Sequence, residues 1–114
     1  MKFGIYAPNW GKTFGNPKLV TELATLAEES GWDGFFLWDH IIFNDEGFQD
    51  TVDPFITLTS IALNTEKINI GTTVTPVTRR RPWKLARETV TLDILSEGRF
   101  ILGVGLGGSN EFSM

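Results

Sequence analysis

The stretch GFFLWDHIIF, Gly34 to Phe43, begins as an unbroken apolar run and then sets Asp39 and His40 side by side. A strand with one wet face alternates polar and apolar residues; this one does not, so it reads as a strand of a parallel sheet covered on both faces. Three further segments share its character: KFGIYAP at 2–8, INIGTTVTP at 68–76 and RFILGVGLG at 99–107. Their starts lie roughly 30 residues apart, about the length of one strand-plus-helix unit.

The stretches between them carry helical periodicity with start and stop signals. Asn16 can cap a first helix, with Pro17 in its first turn, and Leu19, Val20, Leu23, Leu26 and Ala27 form a stripe that ends before Gly31. Asp53 and Pro54 open a second helix with a stripe through Phe55, Leu58, Ile61 and Ala62, joined by Ile56. Near Pro82 a third begins, carries Leu85, Ala86, Thr89, Val90 and Leu92, and stops at Gly98. The order is therefore β-α-β-α-β-α-β, and residues 1–114 read as one unit with no linker or low-complexity tract. Two α/β architectures use this order: a doubly wound open sheet with helices on both faces, and a β/α barrel with helices on one. In both, right-handed crossovers bring the strand-to-helix loops to the carboxyl edge of the sheet, where ligands bind.

Composition narrows the function classes. With 41% hydrophobic and 21% charged residues the chain has material for a globular core. A net charge of -4 removes the cationic footprint that phosphate neutralisation needs, so no nucleic-acid partner is expected. The absence of cysteine excludes disulfides and thiolate chemistry, and a single histidine leaves no His-rich metal site. MKFGIYAPNW lacks the apolar core of a secretory signal, and no apolar run is long enough to span a bilayer. A cytoplasmic protein with no membrane partner is the expectation.

At the carboxyl edge the sequence collects Asn9 to Lys12, then Asp39, His40 and a long loop to Val52, then Thr75 to Arg81, then Gly105 to Phe112. His40 can serve as general acid or base, since an imidazole titrates near neutrality, and Asp39 can orient it; neighbours on an extended strand point to opposite faces, so that pairing needs a bend. The plainer alternative makes Asp39 a turn cap and His40 a structural donor. GVGLGG places Gly103, Gly105 and Gly108 in G-x-G-x-x-G order. These glycines fit a dinucleotide fingerprint, close approach of a flat ring or phosphate, or simple packing relief. TRRRP offers guanidinium groups to an anion or carbonyl, or is a solvated turn. Trp10, Trp38 and Trp83 suit a rim around a planar ring, although Trp38 can equally belong to the core.

DGFFLWDHI, followed by TPVTRRRPWKLARETVTLDILSEGRFILGVGLG, resembles the N-terminal part of the bacterial luciferase-like flavin-dependent monooxygenases. The resemblance implies the barrel rather than the open sheet, and here a partial, half TIM-type barrel. It implies FMN, or alternatively a deazaflavin, as cofactor, with a small organic substrate and, in many members, O₂. By the same likeness Asp39 and His40 face cofactor and substrate, with His40 as acid/base. Thr73 and Val74 match a third-strand kink behind the flavin ring, Gly105 and Gly107 admit that ring, and Arg79 or Arg81 reaches a ring carbonyl. Where deazaflavin-dependent sugar-phosphate dehydrogenases carry a glutamate after the glycine run, this chain has Gly108, which argues against that branch. A half barrel leaves its first and fourth strands as edges, so a homo-oligomer through those edges is expected. The rival reading is a non-catalytic half barrel that self-associates and takes up little flavin.

Overall fold

The computed structural model describes residues 1–41 and 49–108. Residues 42–48 of the loop after Asp39, and the part of the glycine-rich edge from 109 to Phe112, lie outside the described residues. Four parallel strands form one sheet in the order β1 (Gly4–Ala7), β2 (Gly34–Leu37), β3 (Asn69–Pro76) and β4 (Phe100–Gly105). A doubly wound sheet reverses its order at some strand, and this one never does. The main helices, α2 (Pro17–Glu29), α3 (Pro54–Asn64) and α4 (Pro82–Leu95), pack consecutively on one another and share a single core with the sheet. The result is a partial β/α barrel. To the expected order the structure adds one short helix, α1 (Gly11–Phe14), and a 3₁₀ turn at Val77–Arg79.

The caps are those that the sequence announces. Asn16 accepts from the N–H groups of Lys18 and Leu19, and Asp53 accepts from that of Ile56, each before a proline in the first turn. Gly31 and Gly98 follow α2 and α4 with φ of +87° and +81°, the left-handed region that lets a chain leave a helix sharply.

The buried faces differ from the expected stripes. In α2 the residues against the sheet are Val20, Ala24 and Ala27, while Leu19, Leu23 and Leu26 are exposed, Leu26 by 57%. Small side chains allow α2 to lie close to β1 and β2; Leu23 and Leu26 instead line an apolar groove with Ile5, Tyr6, Phe14 and Trp32 beside the β1 edge. Ile56 is exposed as well, because Phe55, Leu58, Ile61 and Ala62 already fill the inward arc of α3. In α4 only Leu92 is buried, with Leu85 packed against the core and Val90 exposed. No helix among the described residues is long and apolar enough to cross a membrane.

Two side chains lock the amino-terminal edge, away from the loops that carry chemistry. Arg99 donates to the carbonyls of Ala62, Thr65, Ile68 and Ser96 and to the Thr65 hydroxyl, so one guanidinium satisfies acceptors left over at the end of α3. Glu28 accepts from the N–H groups of Glu66, Lys67 and Ile68 at 3.0, 2.7 and 2.9 Å. Burial alone would raise the Glu28 carboxyl, but these donors, aided by the Arg99 charge, hold it below its usual range. A depressed folded value makes the ionised clasp fully stabilising above the unfolded glutamate pKa of about 4.3, and that stability drains away as pH falls toward the folded value. Glu28→Gln is expected to lower the urea midpoint at neutral pH and to flatten its decline toward about pH 3. Parallel declines in the two proteins would show that the clasp does not titrate as described.

Candidate active site

β2 delivers the site. After Leu37 its alternation continues: the Trp38 side chain goes to the open face of the sheet, Asp39 into the helical layer, and His40 back to the open face. Trp38 N–H donates to the Ala7 carbonyl at 2.9 Å, which keeps this stretch beside β1 beyond the formal strand end. The His40 ring lies edge-on to Trp10, with centroids 4.9 Å apart and planes at 89°, and 5.8 Å from Trp38. Trp10 and Trp38 are themselves 5.1 Å apart, and Tyr6 stacks on Trp38.

The Asp39 carboxylate is taken up by arginines. It accepts from Arg80 Nη2 at 2.6 Å and lies 3.8 Å from Arg79 Nη2, while Arg79 also donates to the Asp39 main-chain carbonyl. The two arginines expected near the cofactor, Arg79 and Arg81, each have a partner within the chain. The Arg79 side chain, 7% exposed, lies beneath Asp39, and Arg81 sits 6.0 Å from the Trp83 ring. The 3₁₀ turn after β3 swings residues 79 and 80 toward the end of β2, so Arg80, which the sequence reading did not single out, bridges Asp39 and Asp53 over the Phe55 ring.

Trp38, Asp39, His40, Thr73, Val74, Pro76, Gly107 and Gly108 line a cleft of about 280 Å³. Thr73–Val74 is a cis peptide, and the β3–β4 register shifts between Thr72 and Thr75, so the third-strand kink exists and faces His40 across this cleft. The Thr72 hydroxyl donates to the Gly103 carbonyl and accepts from Thr75, which holds the kink from behind. The glycines divide by role. A Cβ on Gly103 would come within 2.1 Å of the Thr72 carbonyl oxygen, and one on Gly105 within 2.5 Å of Val74 Cγ2. Gly105 therefore makes room for Val74, not directly for a ligand. Gly107 and Gly108 do line the cleft, and a Cβ on Gly108 meets nothing within 4 Å. Aromatic and apolar walls with side-chain-free backbone at one margin fit a flat, polycyclic ring. Among the described residues no cluster of His, Asp and Glu could hold a metal ion.

The model of the luciferase-like monooxygenases matches residues 1–113. The chain belongs to this family. Among the relatives of this luciferase-like chain, an F420-dependent glucose-6-phosphate dehydrogenase from Microbacterium testaceum is 36% identical over 100% of the chain, which spans 34% of that protein. The coenzyme F420-dependent tetrahydromethanopterin reductase of Methanopyrus kandleri superposes with a TM-score of 0.82 at 29% identity, over 98% of this chain and 29% of that one. The oxygenating constituent of 3,6-diketocamphane monooxygenase from Pseudomonas putida, solved with FMN, superposes at 0.80 with 21% identity, over 99% and 31% of the two chains, a likeness of fold. The chain thus spans about a third of the length of the relatives it matches. Both cofactor classes occur among them, and the sugar-phosphate dehydrogenases, against which Gly108 was expected to argue, are among the relatives found.

Proposed function

We propose that the cleft between His40 and the Thr73–Val74 kink seats the tricyclic ring of a deazaflavin of the F420 type, and that the parent activity is an oxidoreductase reaction on a small organic substrate. The observation that carries this reading is the opposition, across one cleft, of the only imidazole in the chain and a kinked strand backed by glycines. The more similar relatives with printed cofactors are F420-dependent, which favours the deazaflavin over FMN. Thr73 and Val74 buttress the ring, Gly107 and Gly108 allow its edge to approach the backbone, and Trp38 packs beside it. Such a ring, when bound, supplies hydride transfer. His40 holds or accepts a proton at the substrate atom next to it.

Titrating F420 and FMN separately into the purified chain, with tryptophan emission as readout, tests the reading. Saturable quenching at micromolar F420, weaker with FMN, is expected, because Trp38 lines the cleft and Trp10 stands 5.1 Å from it. The reverse order assigns the site to FMN, and a linear response to both removes the cofactor site. A second reading, self-association without flavin, is favoured by β1 and β4, which among the described residues each pair on one side only, and by the exposure of Tyr6 and Ile101. Sedimentation of the same samples separates the two: a dimer that quenches with neither cofactor supports the second.

A further inference from the structure

We infer that Asn9 is the positioning residue for His40, and that its single side-chain amide pins both ends of the long loop after β2. Asn9 is fully buried just beyond β1. Its Oδ1 accepts from the His40 N–H at 3.1 Å, and its Nδ2 donates to the His40 carbonyl at 2.9 Å and to the Val52 carbonyl at 2.8 Å. The Asn9 carbonyl accepts in turn from the Val52 N–H at 2.9 Å.

Both amide N–H donors and the oxygen are engaged, each with a backbone partner, three of the four hydrogen bonds that an asparagine side chain can make. The orientation of the amide is fixed, because exchanging its oxygen and nitrogen would set an acceptor against two carbonyls. Apolar residues of the same size satisfy none of the three groups, and aspartate satisfies only one. His40 opens the loop and Val52 closes it, so the two ends are held to one atom group at the tip of a neighbouring strand. The next residue, Trp10, bridges to Thr51 and places its ring on the His40 imidazole, while Gly11 N–H donates to the Asp50 carbonyl at 3.0 Å. Asn9 therefore sets the backbone of His40 directly and the ring that flanks it through the adjoining residue.

That His40 is the group worth positioning rests on the reading of the cleft given above, but the test needs no cofactor. The chain has one histidine, so its ring protons form a unique pair of signals in a proton NMR spectrum. In the unaltered chain these signals are expected to be displaced from denatured-chain positions by the Trp10 and Trp38 rings. The His40 amide and the Asn9 side-chain amide protons should exchange with solvent on the order of a thousandfold more slowly than in an unstructured peptide. In Asn9→Asp the ring-proton displacement should fall by more than half. In Glu28→Gln, altered at the opposite edge, it should persist. Overturning results are an Asn9→Asp spectrum with the His40 signals unmoved, an equal loss in Glu28→Gln, or rapid exchange of the His40 amide in the unaltered chain. The last is read without any substitution, so a variant that fails to fold does not shield the inference. Failure of the F420 and FMN titrations would count against the cofactor reading and leave these shifts as they are.

Discussion

Gly71→Ala and Gly103→Ala should each destabilise the chain by about 3 kcal/mol or more. A Cβ on Gly71 would stand 1.9 Å from the Ile101 carbonyl oxygen, and one on Gly103 2.1 Å from that of Thr72. Both obstacles are backbone atoms of the β3–β4 ladder, so no rotamer change relieves them and the strands themselves must separate. Inserting a methyl group into a packed site costs about 1–3 kcal/mol when side chains can yield, and more when they cannot. A cost at or above the top of that range is a large part of the margin, against a total stability of about 5–15 kcal/mol for a domain. Gly108→Ala is the control, with open space around its Cβ and an expected change within about 0.5 kcal/mol. Urea unfolding followed by circular dichroism measures all three; a Gly71→Ala midpoint equal to the control's would mean that the strands do not approach as described.

Asp39→Ala ranks next, with an expected loss of about 3–5 kcal/mol, because it strands cations in a desolvated place. The side chains concerned are 3% exposed for Asp39, 7% for Arg79 and 19% for Arg80. Removing one member of a buried pair is worse than removing both, since the survivor keeps its desolvation cost without its partner. Arg80→Met should therefore soften the effect: Asp39→Ala in that background should cost at least about 1 kcal/mol less than it does alone. Strict additivity across the double-mutant cycle would deny the coupling. The outcome also separates two roles for Asp39. As the anchor of the 3₁₀ turn beneath β2 it governs stability; as a partner of His40, the role the sequence suggested, it would leave the arginines indifferent.

The glycine run shows how far a one-dimensional pattern reaches. Gly103, Gly105, Gly107 and Gly108 look alike in the sequence, yet the first meets a carbonyl of β3, the second the Val74 side chain, and the last two the cleft. Which of them faces what depends on the register shift in β3, a relation between strands far apart in the chain. TRRRP behaves in the same way. Its three guanidinium groups go to an Asp39 carbonyl, an Asp39 carboxylate and the neighbourhood of the Trp83 ring, an assignment made by one 3₁₀ turn. Asn9 left no periodic trace at all. A buried amide is recognisable only by its partners, and these are 31 and 43 positions away.

By itself the sequence determined the four strands, the caps at Asn16 and Asp53, the glycine exits at Gly31 and Gly98, and the edge at which His40 emerges. These follow from local rules, namely side-chain period, missing N–H groups and left-handed backbone, which act within a few residues. Only the tertiary structure decided that Arg80 takes Asp39, that His40 lies against the Trp10 ring, and that α2 buries alanines while its leucines stay outside. Those outcomes turn on which surfaces meet when the strands align, and contact across the sheet is a property of packing that no short window of residues contains.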